Sequence, residues 1–106
     1  MITQRGLFIV YELVGFDVIF QKNFDKGTLR LQSFRLSNKV MLVFEHDIKV
    51  LDTDPQNPNF DELREYSLSL NTITYAALNH NERLMGVATV SAAAPEVTLY
   101  AAGVGF

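Results

Sequence analysis

Residues 52–62, Asp-Thr-Asp-Pro-Gln-Asn-Pro-Asn-Phe-Asp-Glu, set carboxylates and amides at alternating positions around Pro55 and Pro58. Oxygen-rich runs of this kind are what hard cations such as calcium require. With Asp52 at the first position of a calcium loop, Asp54 falls at the third and Gln56 at the fifth, and all three offer side-chain oxygen. The pattern stops there. The sixth position is Asn57, where the sharp turn needs glycine, and the twelfth is Leu63, where a bidentate glutamate closes the calcium shell. Asp52 and Asp54 are therefore candidate ligands without a closing carboxylate, and no bound metal is expected. A turn accounts for more of the residues. Asp54-Pro55 and Asn57-Pro58 are turn dipeptides, and Asn59 with Glu62 three residues on forms a capping box. That box predicts one short helix near residues 60–66, with Asp61 and Glu62 at its positive end.

Other chemistry is sparse. His46 is expected in a strand and His80 in a turn, far apart in sequence and with no second histidine at ligand spacing. The chain has no cysteine, which excludes disulfides, thiolate ligation and a cysteine nucleophile. No serine sits in a nucleophile elbow, and Gly103-Val104-Gly105 is not followed by a helix that could hold a phosphate. Glu45 and Asp47 share a strand face at i and i+2, a spacing common on any strand. No catalytic residue and no cofactor are expected, and the chain reads as a non-enzyme.

The elements that would position these groups are strands. The 106 residues suit one domain, residues 1–106, with nearly half of them apolar. Residues 7–20 are β-branched and aromatic on both alternating faces, which predicts a strand buried on both sides or turning near Gly15. Residues 26–52 alternate and read as a hairpin turning at Ser37–Lys39, with a bulge between Leu31 and Phe34 where the phase switches. Residues 66–78 return to period two, "NHNE" at 79–82 reads as a turn, and two more strands flank Ser91–Pro95, where Pro95 cannot continue a central ladder. The expected fold is all-β: a small sandwich or partly open barrel of six to seven mostly antiparallel strands.

The net charge of −3 conceals an asymmetry. Lys22, Lys26, Arg30, Arg35 and Lys39 stand against Asp25 alone, whereas Glu45 through Glu65 hold seven acids against Lys49 and Arg64. Such blocks either lie on solvated strand faces or complement each other between identical subunits, which would bring Arg30 and Arg35 against Asp52 and Asp54. An acidic chain without an aromatic-interleaved basic stripe is not expected to bind nucleic acid. Glu12 interrupts the first apolar run, and Pro95 with Glu96 interrupts the last, so neither a signal peptide nor a membrane span is expected and a cytoplasmic location is predicted.

From Tyr66 onward only Glu82, Arg83 and Glu96 carry formal charge. A surface so poor in charge is either central core or meets other chains. The tail Val97 to Phe106 would aggregate as an open edge, so it is expected to be paired or covered, and Val97, Leu99, Tyr100, Val104 and Phe106 are candidate subunit contacts. Gly86-Val87-Ala88, Ala92 to Ala94, Val97-Thr98-Leu99 and Gly103 follow one another here. This run resembles the C-terminal part of head-decoration, or capsid cement, proteins of tailed bacteriophages. The resemblance covers about a fifth of the chain and implies a non-enzymatic β protein that clamps capsid subunits, frequently as a trimer. Members often begin with a polar arm, whereas this chain begins with an apolar strand. The expected function is a structural or virion assembly component whose partners are other subunits, through self-association or a capsid or tail protein. A small ligand- or peptide-binding β module is the alternative, and a metal-dependent enzyme using the acidic loop is the third reading.

Overall fold

The computed structural model describes residues 2, 6–11, 15, 18–24, 26–54, 56, 57, 59–68, 71–91 and 94–101. Among them are nine strands: β1 (Leu7–Tyr11), β2 (Val18–Asn23), β3 (Thr28–Ser33), β4 (Lys39–Phe44), β5 (Asp47–Asp52), β6 (Glu62–Ser67), β7 (Thr72–Leu78), β8 (Leu84–Val90) and β9 (Pro95–Ala101). They form three antiparallel sheets, in the orders β1-β2, β3-β4-β5-β6 and β7-β8-β9. The all-β expectation holds. The strand number exceeds the expected six to seven because two runs fold back on themselves: residues 7–20 turn at Gly15, whose φ is 92°, and the chain turns again at Glu45–His46. His46 accordingly lies in that turn and not in a strand.

The centre of the molecule is β4. Val40 through Phe44 carry no polar side chain, and all five are buried. Strands that are apolar on both faces need cover on both sides, and the other two sheets supply it. Met41 and Val43, with Ile48 and Val50 of β5, pack against Ile73, Ala76, Met85 and Val87 of the β7–β9 sheet. On the opposite face Val40, Leu42, Phe44 and Leu51 pack against Phe8 of β1 and the half-buried Phe20, Phe24 and Leu31. Each such side chain stabilises by roughly 1.5–3 kcal/mol when fully buried.

The predicted helix near 60–66 is a strand. β6 pairs antiparallel with β5, setting Glu65 opposite Lys49 and Tyr66 opposite Ile48. Helix-forming composition loses here because the neighbouring strand offers both a ladder and a lysine for the glutamates. Nor does Asn59 cap a helix; its own N–H donates to Oδ1 of Asn57 (3.3 Å). The bulge is also displaced: the register shift of β3 lies between Thr28 and Arg30. The phase switch arises because β3 ends at Ser33 and Phe34 enters the turn, where its N–H donates to the Lys39 carbonyl at 3.0 Å. Pro95 begins edge strand β9, as a residue without a ladder donor should.

Gly6 holds the β1–β2 hairpin shut. Its carbonyl accepts the Phe24 N–H at 2.9 Å, its φ is 86°, and a Cβ there would overlap the Lys26 backbone oxygen. Gly6→Ala is expected to cost more than about 2 kcal/mol in a chemical denaturation experiment; a loss below about 0.5 kcal/mol would show that the close approach does not constrain the hairpin.

Candidate functional site

The β7–β9 sheet covers the centre with one face, and among the described residues most of its other face is exposed. Ile73, Ala76, Met85, Val87 and Thr89 are buried on the inner face. The register sets Ala88 opposite Val97, Gly86 opposite Leu99 and Val90 opposite Pro95, so these residues share the outer face. A Cβ at Gly86 would lie 3.6 Å from Cδ2 of Leu99, so the leucine lies across the glycine. Val97 is 74% exposed and Leu99 68%, with Tyr75, Leu84 and Val90 exposed around them.

β9 is the edge of this sheet, and among the described residues no strand pairs with its outer side. Every residue of β9 but Tyr100 is exposed, Glu96 and Thr98 on the inner face included. Tyr100 anchors the strand: its ring meets that of Tyr66 at 5.4 Å. Burial, slightly offset by Arg64, pushes the Tyr66 hydroxyl above its ordinary pKa and keeps it neutral. The result is a strand paired with β8 along its length, whose other edge meets no strand among the described residues and whose outer face is apolar. Of the candidate contacts, Val97, Leu99 and Tyr100 are thus brought together on β9, whereas Val104 and Phe106 lie outside the described residues.

The acidic loop is held by its own polar groups. Asp52 accepts the Asp54 N–H on Oδ1 and the Asn57 amide on Oδ2, each at 2.9 Å, and Asp54 accepts the Gln56 N–H at 2.9 Å. These bonds, the backbone donor of Asp54 before the Asn57 side chain, draw the Asp52 carboxyl below its ordinary pKa. The Asn57 amide also reaches Asp61 at 3.1 Å. Among the described residues no three His, Cys, Asp or Glu side chains gather as a metal site. His46 Nδ1 lies 2.9 Å from the Asn71 carbonyl, to which it donates.

The basic and acidic blocks meet inside the chain. Lys22 of β2 lies 3.3 Å from Glu62 of β6, and Lys49 of β5 contacts Glu62 at 3.2 Å and Glu65 at 2.6 Å. Lys26 contacts Asp47 at 2.6 Å. Arg30 stacks on the Tyr75 ring at 4.6 Å, which ties β3 to β7. Arg35 donates to the His80 carbonyl at 2.8 Å, while the N–H groups of Arg35 and Leu36 each donate to a Glu82 carboxylate oxygen at 2.7 Å. Glu82, at φ 57°, thereby clamps the β3–β4 turn to the β7–β8 turn.

Burial works against the charge of Glu62, but Lys49 and Lys22 outweigh it and hold its carboxyl below the usual glutamate range. Burial likewise works against the Lys49 ammonium, and Glu65 and Glu62 outweigh it, raising its pKa. A lowered carboxyl contributes stability above its ordinary pKa and loses it as pH falls through the folded value; a raised ammonium contributes below its ordinary pKa and loses it as pH rises through the folded value. The network is thus at full strength from about pH 5 to pH 10. Glu62→Gln is expected to lower unfolding free energy by about 1 kcal/mol at pH 7, since the carboxylate is partly solvent-screened, and by less at pH 3, as protonation removes the charge. Equal losses at the two pH values would mean that the charge of Glu62 is not what fastens β2 to β6.

Comparison with protein-family models, with curated proteins and with solved structures finds no match for this chain.

Proposed function

We propose that the protein is a non-enzymatic structural component that assembles with other protein subunits through the open edge of β9 and the outer face of the β7–β9 sheet. The observation that carries this reading is the placement of Val97 and Leu99, the two most exposed large apolar side chains among the described residues, on a strand whose outer edge pairs with no described strand. An edge left in this state recruits another strand, and strand addition takes affinity from main-chain hydrogen bonds and specificity from alternate side chains. The resemblance of Gly86 to Gly103 to capsid cement proteins narrows the role to a virion decoration component that stabilises a capsid.

The sequence of β9 suits a second copy. An antiparallel two-fold centred on Thr98 aligns all seven residues of the strand. Each copy's Val97 then faces the other's Leu99 on the outer side, Thr98 faces Thr98, and Glu96 faces Tyr100, so no like charges oppose. Assembly with a capsid or tail subunit would use the same edge.

Light scattering of the purified protein, with electron microscopy of particles, tests the proposal. The expected result is a concentration-dependent oligomer or a particle-bound chain. Leu99→Lys should weaken association at least tenfold and change the melting temperature little, because the side chain is exposed. A strictly monomeric wild type, absent from any particle, would sink the idea.

A further inference from the structure

A concave feature lies away from the β7–β9 face, where the β1–β2 hairpin, the β3–β4 turn and the acidic loop meet. It is a cleft of about 700 Å³, within the range of roughly 300–1,000 Å³ that small-molecule sites occupy. Its floor is apolar: Phe8, Val10, Leu31 and Val40 line it, with Ile19 and Phe60 beside them. The Phe60 ring stacks on Phe20 at 4.7 Å, from a backbone φ of 51° that a bulky side chain rarely adopts. Strain of this kind is sustained only where surrounding contacts over-determine it. Here the loop's hydrogen bonds do so, and the Thr53 N–H, which donates to the Asn38 carbonyl at 2.9 Å, ties the two walls together.

Polar side chains line the cleft as well. The hydroxyls of Ser33, Ser37 and Thr53 and the amide of Asn38 line the cleft, and among the described residues none of these side chains makes a hydrogen bond to the protein. Two charged groups line it as well, Lys39 and Asp54, and they are of opposite sign. A ligand of either net charge would meet one favourable and one unfavourable partner. Neutral donors and acceptors have four unengaged partners, and an apolar body has the aromatic and aliphatic floor.

We infer that this cleft is a binding site for an uncharged amphiphilic small molecule, with an aromatic or alicyclic body on the floor between Phe8 and Phe60 and a hydroxyl or amide head at Ser33, Ser37 and Asn38. The site is independent of assembly through β9. In this mode the acidic loop acts as a wall, and Asp52 is the group that keeps it in place.

The neutral dye N-phenyl-1-naphthylamine, titrated into the full chain and followed by fluorescence, tests the assignment. Saturable enhancement at one site per chain is expected. Ile19→Arg at the exposed lip and Ser37→Trp in the exposed turn should each weaken it at least tenfold with the circular dichroism melt unchanged, whereas Leu99→Arg on β9 should leave it unaltered. The sulfonated anionic analogue should bind at least tenfold more weakly than the neutral dye. Absence of saturable binding, loss on Leu99→Arg with retention in Ile19→Arg and Ser37→Trp, or equal affinity for the anionic dye would overturn the assignment. Because the two sites respond to different substitutions, failure of one leaves the other intact.

Discussion

The burial of both faces of β4 is the constraint on which the structure depends. A run of five residues, Val40 to Phe44, with no polar side chain cannot sit on the outside of a sandwich. It forces the β3–β6 sheet to the middle and requires separate cover on each side. The two covers are unequal. A three-stranded sheet contributes a closely packed face of aliphatic and small side chains, whereas a two-stranded hairpin contributes mainly phenylalanines. Isolated two-stranded hairpins are marginal in water, so the smaller cover needs other fastenings. The phenylalanine series from Phe60 through Phe20, Phe8 and Phe24 to Phe44 runs beneath it, with ring separations of 4.7, 6.1, 6.5 and 5.5 Å. Lys22 and Lys26 then fasten its margin, each over a phenylalanine ring and each paired with an acid.

That arrangement gives the charge asymmetry a use inside the molecule. Lys22 of β2 and Lys26 between β2 and β3 meet Glu62 of β6 and Asp47 of β5, because the β1–β2 hairpin lies over the face of the central sheet that carries Lys49 and Leu51. Lys49 shows why pairing matters. Its side chain is only 12% exposed, and the energetic cost of burying an ammonium is met by two glutamates from the adjacent strand. The same topology leaves the last sheet with one surplus face. The inner face of β7–β9 is consumed by the centre, and its outer face and edge have no counterpart among the described residues.

Much of the fold was legible in the residues. The turn at Ser37–Lys39 and the turn at 79–82 follow from backbone chemistry alone, and a turn near Gly15 is one of the two readings that residues 7–20 allow. The segment 60–66 was misread because Asn59 with Glu62 satisfies a capping pattern that is purely local. Its strand state is decided by a long-range partner, β5, whose Lys49 sits opposite Glu65. The isolated lysine within an apolar strand was the available signal: a buried cation demands acids on a neighbouring strand. The cleft was less legible still. Its lining comes from separate parts of the chain, and only Thr53 to Phe60 drew attention by composition, for a chemistry different from the wall they form.

Native-state amide hydrogen exchange measures both halves of this account at once, since protection reports local opening residue by residue. At low protein concentration the amides of Val40 to Phe44 and Ile48 to Val50 should be the slowest to exchange, close to the global unfolding limit. The amides of β9 that point away from β8 should exchange nearly as fast as loops, and should gain protection as concentration rises or a partner subunit is added. Fast exchange in β4, or full protection along the outer edge of β9 in the dilute protein, would contradict a central sheet covered on both faces with one open edge beside it.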